Sequence, residues 1–404
     1  MSSRRWFDPL RERNFRLFFV GQTASQIGSG MAPIAIVFAV LAHGTASDVG
    51  FVLAAETVPL VVLLLVGGVV GDRMSRRLLM LQSDTLRTLA ECALGLWVLL
   101  GSPPLWGFMT LAAIMGIGQA FFSPALTGIV PQMLKDETLQ QGNALNGISA
   151  SSGRIIGPAI AGVIVAASSP GWAILVDGLT YLLSVVSLAL VRIDWAAAES
   201  SEPFIDLLRE GWREFWSRTW LWVIVVEFSL VNAFFASYLV LGPVVAKASL
   251  GGAPAWGAIL ATGGAGAVIG GFAMLRLHPR RPLLVATLST LTFPIPLFFV
   301  AARLPTPLIA LAAFVASGLV TVFSVQWSTT LQREVPSEVL SRVSAYDWFG
   351  SLALTPIWMA LVGPIASSLG ITTTLVGSGV VMLVLIVLVL FVPSVTQLRA
   401  PTRS

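Results

Sequence analysis

Charge is what this sequence has least of. Of its 404 residues, 11% are charged and 56% hydrophobic, against roughly 25% charged in an ordinary soluble domain. So little charge cannot cover an aqueous surface of normal size, and the lipid bilayer becomes the main solvent and partner. Cysteine is nearly missing: Cys92 stands alone in an apolar stretch, which excludes a disulfide framework and a cysteine-based metal site. The two histidines, His43 and His278, lie far apart. No phosphate loop, nucleophile with a base, or metal-ligand cluster can be read in the chain, so an enzyme, a metal and a bound cofactor are not expected. The net charge of +4 is almost all arginine. Without a basic stripe or an aromatic platform it does not point to nucleic acid.

Long apolar runs are what the chain has in excess. A helix needs about 20 residues to cross a hydrocarbon core, and twelve such runs follow one another from Phe15 to Val392. The first is too long for a signal peptide and lacks a small-residue cleavage site, so it reads as a retained helix. Arginine and lysine in short loops stay in the cytoplasm. The tail with Arg4, Arg5 and Arg11, and the loops with Arg76 and Arg77, Lys135, Arg213, Arg280 and Arg333 all fall on one side, whereas Lys247 and Arg303 fall on the other. Both termini are then cytoplasmic in a bacterial inner membrane.

The longest hydrophilic connection, Arg192 to Thr219, divides the chain into a six-helix bundle over 1–191, a linker over 192–219 and a second six-helix bundle over 220–404. In the linker Phe204, Leu207, Leu208, Phe215 and Trp216 fall near one helical face, with Arg209, Glu210, Arg213 and Glu214 mostly opposite. This pattern predicts an amphipathic helix on the cytoplasmic membrane surface. The halves also echo each other. Gly67-Gly68 followed by Arg73, Arg76 and Arg77 after the second run matches Gly270-Gly271 followed by Arg276, Arg280 and Arg281 after the eighth. Corresponding signals six helices apart are what a duplicated transporter predicts.

Gly68-x-x-x-Asp72-Arg73-x-x-Arg76-Arg77 resembles the loop signature of the major facilitator superfamily, with Ser75 where that pattern usually has glycine. The resemblance implies an all-α fold of twelve transmembrane helices in two pseudo-symmetric six-helix bundles. It also implies that Asp72 approaches the N-terminal region of the eleventh helix, around Ser341 to Asp347, where a helix dipole favours negative charge. Gly153-Arg154-Ile155-Ile156-Gly157-Pro158-Ala159-Ile160-Ala161-Gly162 is similar to the signature of drug and metabolite antiporters. It matches at Gly153, Gly157, Pro158 and Gly162, where small residues at intervals of four let helices pack closely. Phe121-Phe122-Ser123-Pro124-Ala125 and Trp256-Gly257-Ala258-Ile259-Leu260 resemble the exporter branch that includes macrolide-efflux and enterobactin-export proteins. The family implies function as a monomer, with the proton gradient in place of a cofactor.

Charges inside a bilayer cost roughly 2.5–3.5 kcal/mol each on insertion scales and are functional candidates by default. Helices one to six hold Glu56, Asp84, Arg87, Glu91, Arg154 and Asp177; helices seven to twelve hold Glu227 and, at a cytoplasmic end, Asp347. Proton coupling is therefore expected in the N-terminal half. Asp84, Arg87 and Glu91 form a ladder at spacings of three and four. Arg154, at mid-depth, is the expected counter-ion for Glu56, Glu91 or Asp177. In the family's fold helices one, four, seven and ten line the cavity, which assigns to it Gln22, Gln26, Gln119, Phe122, Asn232, Phe235, Gln326 and Trp327. Amides and aromatics suit a small amphipathic compound better than a sugar or a phosphate. The function expected is proton-coupled efflux by alternating access. The alternative is an uptake facilitator or a lysolipid mover of the same fold without proton export.

Overall fold

The computed structural model describes residues 3–193, 204–274 and 279–399, leaving aside the side chains of 3–6, 64–73, 127, 136, 204–208, 337, 338 and 341. Among the described residues the regular structure is helical throughout. The N-terminal unit holds α1 (Arg13–His43), α2 (Ala46–Arg73), α3 (Arg76–Leu100), α4 (Leu105–Ile129), α5 (Asp136–Ala167) and α6 (Pro170–Leu190). The C-terminal unit opens with α7 (Phe204–Ser217) and α8 (Thr219–Val245), and continues through α9 (Ala253–Met274), α10 (Pro282–Thr290), α11 (Ile295–Ala301), α12 (Thr306–Glu334), α13 (Ser337–Leu352), α14 (Thr355–Leu369) and α15 (Ile371–Val389). The first residues of α9, within Gly252–Ala261, cluster with the N-terminal unit.

Eleven segments among the described residues are long and apolar enough to cross a membrane. The twelfth crossing is α3, whose 25 residues suffice in length but whose Asp84, Arg87 and Glu91 dilute its hydropathy. Packing on α4 and α6 keeps those charges buried. Two crossings are broken. The ninth is split into α10 and α11 and the eleventh into α13 and α14, at Pro294 with Pro296 and at Pro356, since proline has no N–H to continue a helical ladder.

The pairing of helices within each unit repeats at an interval of six crossings. In the N-terminal unit α1 packs on α5 and α6, and α3 on α4 and α6. In the other, α8 packs on α14 and α15, α10 on α12, and α11 on α15. Gly116 of α4 lies against the Glu56 backbone on α2, and Gly266 and Gly270 of α9 lie against Phe314 and Gly318 of α12. The echo in sequence is thus an echo in packing.

The loop-signature arginines have specific partners. Arg76 donates to the Gly128 carbonyl at the end of α4. Arg77 donates to the Leu188 and Ala189 carbonyls at the end of α6, at 2.8 and 2.7 Å. Both satisfy carbonyls that a helix C-terminus leaves without partners, where positive charge is favoured. Ser75 caps α3, accepting from the Leu78 N–H at 3.4 Å. The surroundings of Gly68 and the side chains of Asp72 and Arg73, and with them the expected approach of Asp72 to the eleventh helix, lie outside what is described.

The α5 glycines form a close crossing with α1: Gly153 meets the Gln26 backbone and Gly157 that of Ile27 and Gly30. Further along, Gly162 meets Ala253 and Pro254, and the Pro158 carbonyl faces Gly257, so two of the sequence stretches noted above touch one another. The linker helix α7 packs on α13. Glu210 pairs with Arg342, and Trp212 and Phe215 contact the Tyr346 ring at 5.4 and 6.2 Å. Trp212 and Trp216 are exposed.

A Cβ at Gly157 would lie 2.6 Å from both the Gly30 Cα and the Ile27 carbonyl, and backbone cannot rotate away. Gly157→Val is therefore expected to cost about 1–3 kcal/mol, read as a lowered melting temperature of the purified protein. Gly147→Val, at a site with open space around it, is expected to leave the melt unchanged.

Candidate functional site

The charged ladder of α3 determines what surrounds it. Arg87 is 3% exposed, and a guanidinium withdrawn from water must be paired and hydrogen-bonded. It pairs with Asp84 one turn earlier, whose other oxygen accepts from Ser184 Oγ on α6 at 2.6 Å. Its Nη1 donates to Gln119 Oε1 on α4 at 2.7 Å and to the Tyr181 hydroxyl on α6 at 3.3 Å. The guanidinium carbon lies 4.3 Å from the ring centroids of both Phe122 and Tyr181. It is thus sandwiched between two aromatic faces, a favourable place for a cation. Gly118 provides room for its aliphatic stem.

One turn further along α3 and across on α6 lie two more acids. Glu91 and Asp177 are both buried, and their side chains are within hydrogen-bond reach of each other. Gly28 on α1 leaves the space that the Asp177 carboxylate and Thr180 fill, and Thr180 Oγ1 contacts Asp177 at 3.2 Å. Tyr181 is held from α1 by a 2.7 Å hydrogen bond with Ser29. Glu56 on α2 is close enough to interact with Asp177, Glu91 and Arg87. One Glu91 oxygen and one Asp177 oxygen have no hydrogen-bond partner.

Glu56, Arg87, Glu91 and Tyr181 border a cavity of about 270 Å³ inside the N-terminal unit, with Asp177 behind them. Gln22, Gln26, Ser25, Ser29, Glu56, Arg87, Glu91, Gln119, Phe122 and Tyr181 line it. Carboxyl groups from α2, α3 and α6 thus converge on one guanidinium, among the described residues. Such an arrangement can store, exchange or pass a proton.

Of the expected coupling residues, Glu56, Glu91 and Asp177 come together. Arg154 stands apart: it is exposed on α5 and forms no ion pair among the described residues, and the guanidinium amid the acids is Arg87. Of the expected cavity residues, Gln22 and Gln26 face this pocket, whereas Gln119 and Phe122 face it while engaged with Arg87. Asn232 and Trp327 line a separate pocket in the C-terminal unit. Phe235 stacks on Phe293 at 4.1 Å, and Gln326 is buried outside that pocket. Glu227 is buried, with one oxygen lacking a partner. Tyr181 was not among the residues singled out from sequence; its place one turn after Asp177 on α6 was the available signal.

Three comparisons bear on this geometry. The profile of the transmembrane secretion effector family matches residues 4–401. Multidrug efflux pump Tap of Mycolicibacterium fortuitum is 26% identical over 411 residues, covering 96% of this chain and 97% of its own. Enterobactin exporter EntS of Shigella boydii is 26% identical over 384 residues, covering 94% and 91%. Among solved structures, a mutant of the nucleoside transporter NupG superposes with a TM-score of 0.78 at 10% identity, covering 93% of this chain and 99% of that one, a likeness of fold.

Removing the Asp84 charge would leave Arg87 buried without its carboxylate. Asp84→Asn is expected to cost about 3–5 kcal/mol, against about 1 kcal/mol for Ser184→Ala, measured as melting-temperature shifts of the purified protein. In the double variant Asp84→Asn with Arg87→Met, much of the lost stability should return. Equal melts for wild type and Asp84→Asn would show that the pair carries no such weight.

Proposed function

Since this chain belongs to the transmembrane secretion effector family of major facilitator transporters, we propose that it exports a small amphipathic compound from a bacterium in exchange for protons. It is a multi-pass membrane transporter, and the finer reading concerns direction, coupling and cargo. In this reading it works as a monomer in the plasma membrane with both termini cytoplasmic, and the proton gradient takes the place of a cofactor. The efflux relatives support the outward direction.

The observation that carries the coupling is the contact between Glu91 and Asp177 beside Arg87. Two ionised carboxylates this close would repel strongly in a water-poor site, which favours a proton on one of them. We assign that proton to the transport cycle. When the cavity opens to the proton-rich side the pair takes a proton up. When it opens to the cytoplasm, entering water beside the fixed Arg87 favours the ionised form, and the proton leaves. Glu56, facing the same cavity, is the route by which the proton reaches the pair. The counter-ion role falls to Arg87, because it stands amid these acids and Arg154 does not. Arg87 also explains why α3 tolerates its charges: the cation and Asp84 fix one another, leaving Glu91 and Asp177 to change protonation.

Everted vesicles provide the test. Glu91→Gln and Asp177→Asn should each abolish pH-gradient-driven accumulation of an effluxed compound while downhill exchange of that compound persists, and Glu227→Gln should keep its gradient dependence. Arg87→Lys, which keeps the charge but loses the planar fork of donors, should impair coupling as well. If all the N-terminal acids tolerate neutralisation with gradient dependence intact, the facilitator or lysolipid reading replaces this one.

A further inference from the structure

The C-terminal unit holds a second cavity, of about 210 Å³, between α8, α12 and α13. Its walls are aromatic. Phe228 and Phe323 stack with centroids 4.3 Å apart and planes 6° from parallel, and Trp327 continues the wall 6.2 Å from Phe323 with planes 9° apart. Trp348, 62% exposed, stands at the rim. The Asp347 carboxylate faces this wall. It accepts a 2.9 Å hydrogen bond from Trp327 Nε1 and a long contact, 3.5 Å, from Ser351 Oγ. Asn232 Nδ2, also at the cavity, is engaged by the Ser351 carbonyl at 3.1 Å.

Both donors to Asp347 are neutral, and among the described residues no arginine, lysine or histidine forms an ion pair with it. This differs from the N-terminal unit, where Arg87 serves the acids. A carboxylate near the cytoplasmic end of a span, held only by neutral donors, attracts a positive partner, and the aromatic surroundings favour a cation over an anion or a neutral polar group. The cavity is smaller than the roughly 300–1,000 Å³ of pockets that enclose a whole drug-sized ligand. It therefore fits the charged end of a molecule whose body extends past Trp348.

We propose that this pocket is a subsite for organic cations, which seats a quaternary or protonated amine against Asp347 between the Phe323–Trp327 wall and Trp348. This narrows the cargo class in the export reading to amphipathic amines and rests on that reading for its role in transport. Binding itself does not depend on it. The selectivity is chemical. A positive nitrogen gains the carboxylate and the aromatic surroundings together, whereas its carbon isostere gains only the apolar contact.

The probe is benzyltrimethylammonium, with neopentylbenzene, in which carbon replaces the charged nitrogen, as the neutral comparison. Binding of each to the full-length purified chain in nanodiscs is measured by saturation-transfer NMR, with empty nanodiscs as the blank. Wild type should bind the cation, Asp347→Asn should weaken it by about tenfold, equivalent to about 1.4 kcal/mol, and Asp347→Glu should retain it. The neutral compound should respond little to either change. If Asp347→Asn does not fold, Trp348→Ala at the exposed rim decides, and it should weaken the cation selectively. The proposal is overturned if wild type does not bind the cation, if Asp347→Asn and wild type bind it equally, or if cation and isostere weaken together. Asp347-dependent binding without outward transport would leave the subsite standing and defeat the export reading.

Discussion

A guanidinium withdrawn from water has to be compensated wherever it sits, and in this molecule Arg87 imposes that requirement on four helices. Asp84 neutralises it from the same helix; Gln119 and Phe122 reach it from α4, and Tyr181 from α6. The α1 helix holds Tyr181 in place through Ser29. The small residues nearby follow from the same demand, Gly118 making way for the arginine stem and Gly28 for the Asp177 carboxylate. A bundle assembled around one buried cation can bring further acids into the membrane, and Glu56, Glu91 and Asp177 are those acids.

The two units share their helix pairing but not their electrostatics. The C-terminal unit repeats the crossings of the N-terminal one, yet it holds the buried Glu227 and the half-buried Asp347 with no basic ion-pair partner among the described residues. Its aromatic cavity is lined by a single carboxylate, where the N-terminal cavity is lined by Glu56, Glu91 and Arg87 together. Duplication preserves the scaffold because packing at glycine crossings is geometric, while the charge pattern is free to diverge. On the proposals made above, one unit handles protons and the other receives cargo, and alternating access links the two.

The fold was legible in the sequence because hydropathy and loop charge are one-dimensional signals. The crossings, the exceptional polarity of α3 and the repeat at six helices could all be read directly. The breaks at Pro294 and Pro356 were not anticipated, since each apolar run continues through its proline. The linker pattern foretold the helix Phe204–Ser217 but not its seat on α13, a tertiary contact that no periodicity encodes. Arg76 and Arg77 read as topological markers and prove also to close the ends of α4 and α6. The site was half legible. The acids declared themselves by the cost of burying them, and the spacing of Asp84, Arg87 and Glu91 already placed a cation among them. Depth along the chain favoured Arg154, but rotation about the helix axis decides which side chain faces inward. That angle is set by the packing of α5 through Gly153 and Gly157, which leaves the intervening Arg154 exposed.

The central claim is that Glu91 and Asp177 hold one proton between them beside Arg87. Isotope-edited infrared spectroscopy of the purified chain, with glutamate side chains labelled in one sample and aspartate side chains in another, observes that proton directly. The account predicts a protonated-carboxyl component at neutral pH, in one sample or the other, that is lost or shifted in both Glu91→Gln and Asp177→Asn, whereas Glu227→Gln removes only a separate component of its own. Spectra in which Glu91→Gln and Asp177→Asn each remove only ionised-carboxylate intensity, and neither changes a protonated component in either sample, would show both acids fully charged, and would contradict it.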